Sequence, residues 1–438
     1  MKFIYADSLD FVDPGYDFEK DQHTPGREPY WGDQYPHEIL GHAPYDGILV
    51  SRAIVGDHRL TGKYSESQAM RFRLVGARQF LRFTGPELDE RLLFGDCGAF
   101  SYVNQEEPPY SPEETAEFYE ESGFTHGFSV DHIIFDFFPE AKGFWDGIDA
   151  VSPGNDERYR RYQLTLNLAE RFLAECRRLQ VRFTPVGVIQ GWSPVSMARA
   201  AQELVKMGYR YLALGGMVPL RTEAIHIAVK AVHKALESYP DVRLHILGFA
   251  KADQLNEFIN YPLLASVDTT SPLLRAFKDN RRNYYLPTTN GEINYYTAIR
   301  IPQALENNTL KNAAKKGLYN QENLLNMEQK ALDKIRAYDL EQAELDETLE
   351  AIMDYSRPLM CADHQVSTAE QRKLDQLSLV YRKTLEDRPW RRCDCPICRK
   401  ISIEVIIFRA SNRNKRRGIH NLEVFYNHLQ NQCSHQYA

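Results

Sequence analysis

The chain has 438 residues, 43% of them hydrophobic and 26% charged, with a formal net charge of −7. That is the balance of a globular protein able to bury a large core, and no apolar run approaches the roughly 20 residues that cross a bilayer. A membrane span is excluded, and the acidic total gives no global case for a nucleic-acid partner.

The first residues, Met1-Lys-Phe-Ile-Tyr-Ala-Asp, lack the apolar region of a signal peptide and turn acidic at once, so the protein is expected in the cytoplasm. Residues 1–45 are rich in Asp, Tyr, Pro and Gly and read as an irregular N-terminal cover. Within them, His37-Glu-Ile-Leu-Gly-His42 has a metalloprotease look. Its histidines are five apart rather than four, which turns the second off the first one's helical face, and the motif is rejected.

From residue 46 a strand-helix rhythm begins. Apolar runs at 47–55, 92–96, 127–131, 184–190, 211–214, 243–248 and 265–268 read as parallel strands buried on both faces. Between them, helices are expected at 65–83, from Ser111, at 156–179, 193–207, 222–238 and 253–260. Ser111-Pro-Glu-Glu114 is a capping-box start. About eight such units, with no phosphate-binding glycine fingerprint after the first strand, favour an α/β fold of the (β/α)8 TIM-barrel type over a doubly wound sheet. The barrel domain is placed at 46–385, with a long insertion after about residue 278 and helices at 321–340 and 341–353. Residues 386–438 are set apart as a C-terminal helical subdomain, with an apolar run at 401–408 and a last helix expected at 421–429.

The seven cysteines form no even-numbered disulfide framework, and three fall within six residues, Cys393-Asp-Cys395-Pro-Ile-Cys398. With a downstream histidine, His420 or His428, they would close a tetrahedral structural zinc site without an open catalytic position. Spacing does not choose between the two histidines. Between Arg382 and His420 there are twelve Lys/Arg against four Asp/Glu, including Arg413-Asn-Lys-Arg-Arg417, a local basic face of the kind that binds a polyanion.

Polar residues recur at the strand ends, Asp96, Asp131, Gln190 and Asp268, and Gly215-Gly216-Met217 at another lets the backbone approach a planar ligand closely. In a barrel that rim is where chemistry is done. Val267-Asp268-Thr-Thr-Ser-Pro272 delivers a carboxylate at a strand's end, a candidate nucleophile or base. Asp131 and Gln190 can hydrogen-bond a purine's polar edge, while Phe100 and Leu247 can cover its faces. Taken singly, each has an ordinary structural role, such as turn former, loop anchor or helix cap.

Together these segments resemble the tRNA-guanine transglycosylase superfamily, and most closely its DNA-acting branch, the DpdA type. Asp96-Cys-Gly-Ala-Phe100 is similar to the family's Asp-Ser-Gly-Gly-aromatic motif, which implies Asp96 as general base and Phe100 as a stacking residue. Gly127-Phe-Ser-Val-Asp131, Val188-Ile-Gln190-Gly191 and Leu214-Gly-Gly-Met217 resemble its base-binding segments, and Asp268 the covalent nucleophile. The family's zinc histidine precedes Asn, which selects His420. The resemblance implies exchange of guanine in DNA for 7-cyano-7-deazaguanine, with DNA and the two bases as partners, structural zinc, and an ATPase-like partner protein. Cys97, Ala99 and Trp192 depart from the pattern, and Ser271-Pro-Leu-Leu-Arg stands where bacterial tRNA enzymes carry Leu-Pro-Thr-Arg. A tRNA-acting enzyme and a non-catalytic zinc-containing nucleic-acid-binding subunit are the alternatives.

Overall fold

Eight short apolar runs close into a parallel barrel in the computed structural model, which describes residues 1–149, 152–249, 252–278, 281–288, 292–361 and 366–434. The strands are β1 (Lys2–Ala6), β2 (Gly47–Ser51), β3 (Leu92–Asp96), β4 (His126–Phe128), β5 (Thr184–Ile189), β6 (Tyr211–Leu214), β7 (Arg243–Ile246) and β8 (Leu264–Asp268). They pair in sequence order, and β1 closes on β8 with Ile4 opposite Asp268. This is the expected (β/α)8 barrel.

Inward-pointing side chains fill the axis. Ile4, Leu49, Phe94, Phe128, Val186, Val188 and Ala213 are buried together, so the barrel is a packed core open to ligand only at its rim. The His126 ring stacks on Phe94 at 4.4 Å between centroids, and burial pushes its pKa down to about 4, which keeps it neutral in the core. Outside the barrel, the helix Pro112–Glu121 starts with the capping box read from Ser111 and Glu114. Its Tyr119 ring lies against Gly95 of β3 and Gly127 of β4, where an added Cβ would come within 2.5 Å of ring carbons. Two adjacent strands therefore need glycine to let the helix approach.

The N-terminal segment is not wholly an irregular cover. Lys2–Ala6 is the closing strand β1, hidden in the sequence because five apolar-leaning residues followed by a long stretch rich in turn formers carry no periodic signal. The segment at 253–260 is a 3₁₀ helix, Ala252–Phe258, rather than an α-helix. Asp131 lies three residues beyond the end of β4. No helix among the described residues is long and apolar enough to cross a membrane.

The chain divides into two units, 1–9 with 45–271 and 10–44 with 272–438. The second contains the helices Gln321–Asp339, Leu345–Met360, Thr368–Asp387 and Ser411–Ser434, and a hairpin of Tyr284–Pro287 with Ile293–Tyr296. Here the basic run has a different use from the one expected. Arg413, Arg416 and Arg417 are fully buried. Arg413 pairs with Asp21 and, at 2.7 Å, with Glu404; Arg417 donates to the carbonyls of Val405, Ile407 and Ala276. Burial pushes the Arg417 pKa down to about 9. A guanidinium in a dry interior must be hydrogen-bonded, and these hold the last helix to its surroundings rather than facing a polyanion.

Candidate active site

At the carboxyl ends of the strands a cavity of about 310 Å³ opens, lined by Asp96, Phe100, Asp131, Gln190, Gly215, Gly216, Leu247 and Asp268. The rim thus gathers eight of the nine pocket residues expected from sequence. The ninth, Met217, is buried but does not line the cavity. Sequence reading missed Lys63, which does line it and whose Nζ lies 3.2 Å from the Ser8 hydroxyl.

Asp131 is held through both of its carboxylate oxygens. One carboxylate oxygen accepts the Cys97 thiol at 3.1 Å and the other the Gln190 amide at 2.7 Å. The Gln190 carbonyl oxygen accepts from the Ile134 N–H at 3.2 Å, which fixes the amide's orientation and leaves its second N–H for a ligand. Gly215 makes room for this amide, because a Cβ there would lie 2.2 Å from Gln190 Nε2. Gly216 takes a φ of +73°, where a side chain would be strained and would meet the Ile134 carbonyl at 2.8 Å. Cys97 thus serves as a donor to Asp131, and burial pushes its own pKa up, so it remains a thiol.

Asp96 ends β3. Its carboxylate is met by the Gly98 N–H at 3.0 Å, by the Cys97 backbone N–H and, distantly, by the Cys97 thiol at 3.9 Å. Burial, and then the charges of Asp131 and Asp268, push its pKa up to about 7. A carboxyl group balanced between its two protonation states near neutral pH is suited to give and take a proton. Asp268 ends β8 and is differently held. Its Oδ1 accepts from the Gly248 N–H at 2.8 Å and from His245 Nε2 at 2.9 Å. No described residue hydrogen-bonds to its Oδ2. Phe100 stands 54% exposed at the mouth, its ring 5.9 Å from that of Phe135.

In the second unit, Cys393, Cys395, Cys398 and His420 bring their ligand atoms within 4.8 Å of one another, and His428 is not part of the group. The three sulfurs lie 3.6, 3.3 and 3.5 Å from His420 Nδ1. A tetrahedral zinc site has sulfur-to-nitrogen edges of about 3.6 Å, from metal–ligand bonds of about 2.3 and 2.1 Å, so the donor set fits. His420 Nε2 lies 2.7 Å from the Tyr285 carbonyl, to which it donates, and this leaves Nδ1 as the ligand atom. Replacing Cys398 by Ala is expected to remove bound zinc, read by elemental mass spectrometry, and to lower the melting temperature by several degrees. Full zinc content in that variant would remove the assignment. His37 and His42 of the rejected protease motif take no part in this group, and His42 instead lies 2.9 Å from Glu423.

No protein-family model matches the chain. The chain is 39% identical over 431 residues, covering 98% of its length and 97% of the relative's, to a protein of Salmonella montevideo named DNA-guanine transglycosylase.

Proposed function

The chain belongs to the DNA-guanine transglycosylase family, and on that premise we propose that it exchanges guanine in DNA for 7-cyano-7-deazaguanine through an ester between Asp268 and the deoxyribose. The observation that carries this reading is the arrangement at one mouth of the barrel. An anchored carboxylate, one of whose oxygens no described residue hydrogen-bonds, faces the same cavity as a second carboxyl of near-neutral pKa and a pair of groups able to meet a purine edge.

In the first half-reaction, Asp268 Oδ2 forms a bond to C1′ as the C1′–N9 bond breaks. Guanine leaves with that electron pair and takes a proton from Asp96. In the second half, the ionised Asp96 removes the N9 proton of the incoming deazapurine. N9 then bonds to C1′, and the ester breaks back to the Asp268 carboxylate. The sequence is redox-neutral and consumes no nucleotide. An aspartate suits it because it stabilises oxocarbenium-like charge and then leaves. Asp131 accepts hydrogen bonds from a guanine-type N1–H and amino group, the spare Gln190 N–H donates to the 6-oxo group, and Phe100 stacks on the ring. Lys63 meets a backbone phosphate beside the extruded nucleotide, a cation at the lip of a carboxylate-lined cavity. The zinc site closes without an open position, so its contribution is folding stability alone.

The test is mass spectrometry of nucleosides from plasmid DNA incubated with the protein and 7-cyano-7-deazaguanine, run beside tRNA. Deazapurine deoxynucleoside in the DNA is the expected product. Incorporation into tRNA alone would transfer the same chemistry to RNA. DNA binding without exchange would make the chain a non-catalytic subunit.

A further inference from the structure

Inside the barrel, beneath the cavity, lies a run of polar side chains in a core that is otherwise apolar and aromatic. His245 on β7 is fully buried between Phe94 and Phe128, with ring centroids 5.4 and 5.3 Å away. Its Nε2 meets Asp268 Oδ1 at 2.9 Å and its Nδ1 meets the Ser266 hydroxyl at 2.7 Å. Ser266, also fully buried, lies 2.7 Å from the Tyr211 hydroxyl of β6. The register explains the reach. Leu244 pairs with Leu264 but His245 with Ser266, a bulge that leaves one extra residue on β8 and sets Ser266 and Asp268, two apart on the same inward face, beside a single imidazole.

We infer that His245 is a positioning residue that selects which oxygen of Asp268 attacks, and that the Ser266–Tyr211 chain fixes the histidine tautomer that does so. The inference rests on the transglycosylase reading of the same site. The protons admit one arrangement for a neutral ring. A carboxylate only accepts, so Nε2 carries hydrogen and Nδ1 must accept. Ser266 then donates to Nδ1, and its oxygen accepts from Tyr211. Every donor in the chain points toward Asp268, and each bond polarises the next. With the Gly248 N–H, this loads Oδ1 twice and locks the carboxylate's rotation. Oδ2 is left as the oxygen facing the sugar.

The arrangement is not a hydrolase triad turned to a second use. The serine is buried below the histidine, away from the cavity, and the aspartate is the member at the surface of the chemistry. Because the constraint acts on geometry at the moment of attack, it affects the bond-forming step and leaves DNA binding alone.

The experiment measures single-turnover formation of the denaturation-resistant protein–DNA adduct, DNA KM and melting temperature for wild type, His245→Phe, His245→Gln, Ser266→Ala and Tyr211→Phe. His245→Phe is expected to slow adduct formation about 100-fold with KM within about twofold. His245→Gln, which restores an N–H donor, should recover about tenfold of that loss. Ser266→Ala and Tyr211→Phe should slow the step about five- to twentyfold with unchanged melting, and they decide the matter if His245→Phe does not fold. Adduct formation within threefold of wild type in a folded His245→Phe, or in both relay variants, overturns the inference. A wild-type protein that forms no adduct overturns the transglycosylase reading instead, which keeps the two failures apart.

Discussion

Asp268→Asn should abolish base exchange and, with it, the covalent protein–DNA species, a fall of at least about 10³-fold, the scale seen when an attacking group is removed. The amide keeps the shape of the side chain and can still accept from the Gly248 N–H and from His245 Nε2, so the barrel rim stays intact. What is lost is the negative charge that stabilises the oxocarbenium-like sugar and the oxygen able to form a cleavable ester. Binding of DNA, measured by anisotropy, should change by less than about threefold. The decisive readout is a denaturing gel of enzyme mixed with guanine-containing DNA. A slow-migrating adduct with wild type and none with Asp268→Asn is expected, and an equally strong adduct in the variant would move the nucleophile elsewhere.

Asp96→Asn should lose exchange by about 10²–10⁴-fold while making the ligand-free protein more stable at alkaline pH. The folded protein holds the Asp96 proton far more tightly than an unfolded chain does, its pKa standing at about 7 against an ordinary 3.8. A raised carboxyl pKa contributes stability that is complete below about pH 4 and is lost as the pH rises through about 7. Above that, wild type carries an ionised carboxyl close to the charges of Asp131 and Asp268. Three pKa units correspond to about 4 kcal/mol, so a gain of order 2–4 kcal/mol for the asparagine variant is expected at pH 8, and close to none at pH 4. Melting curves across that range test it, and parallel curves for the two proteins would show that Asp96 is not strained.

Much of the barrel was legible because its signal is local. The helix Glu157–Leu179 and the strand Tyr211–Leu214 fall where the periodicity places them, and Ser111 caps the helix it was expected to start. Apolar run length and capping chemistry depend on neighbours in the chain, and those are written in order. The closing strand Lys2–Ala6 was not legible, since its partners lie at 47–49 and 266–268 and nothing adjacent marks it. The basic run at 413–417 was read as a surface, because charge in a sequence carries no sign of burial. Its partners Asp21 and Glu404 are known only once the chain has folded back.

By itself the sequence determined the alternation of strand and helix, the carboxylates and amide at the strand ends, and the cysteine spacing of the metal site, since each follows from residue type and short-range spacing. Only the tertiary structure decided that Asp96, Asp131 and Asp268 share one cavity, that Cys97 and Gln190 grip Asp131, and that His245 holds one oxygen of Asp268. Hydrogen bonds and charge–charge repulsion act over a few ångströms of space, and residues 23 to 172 positions apart reach that distance only when the strands close on themselves.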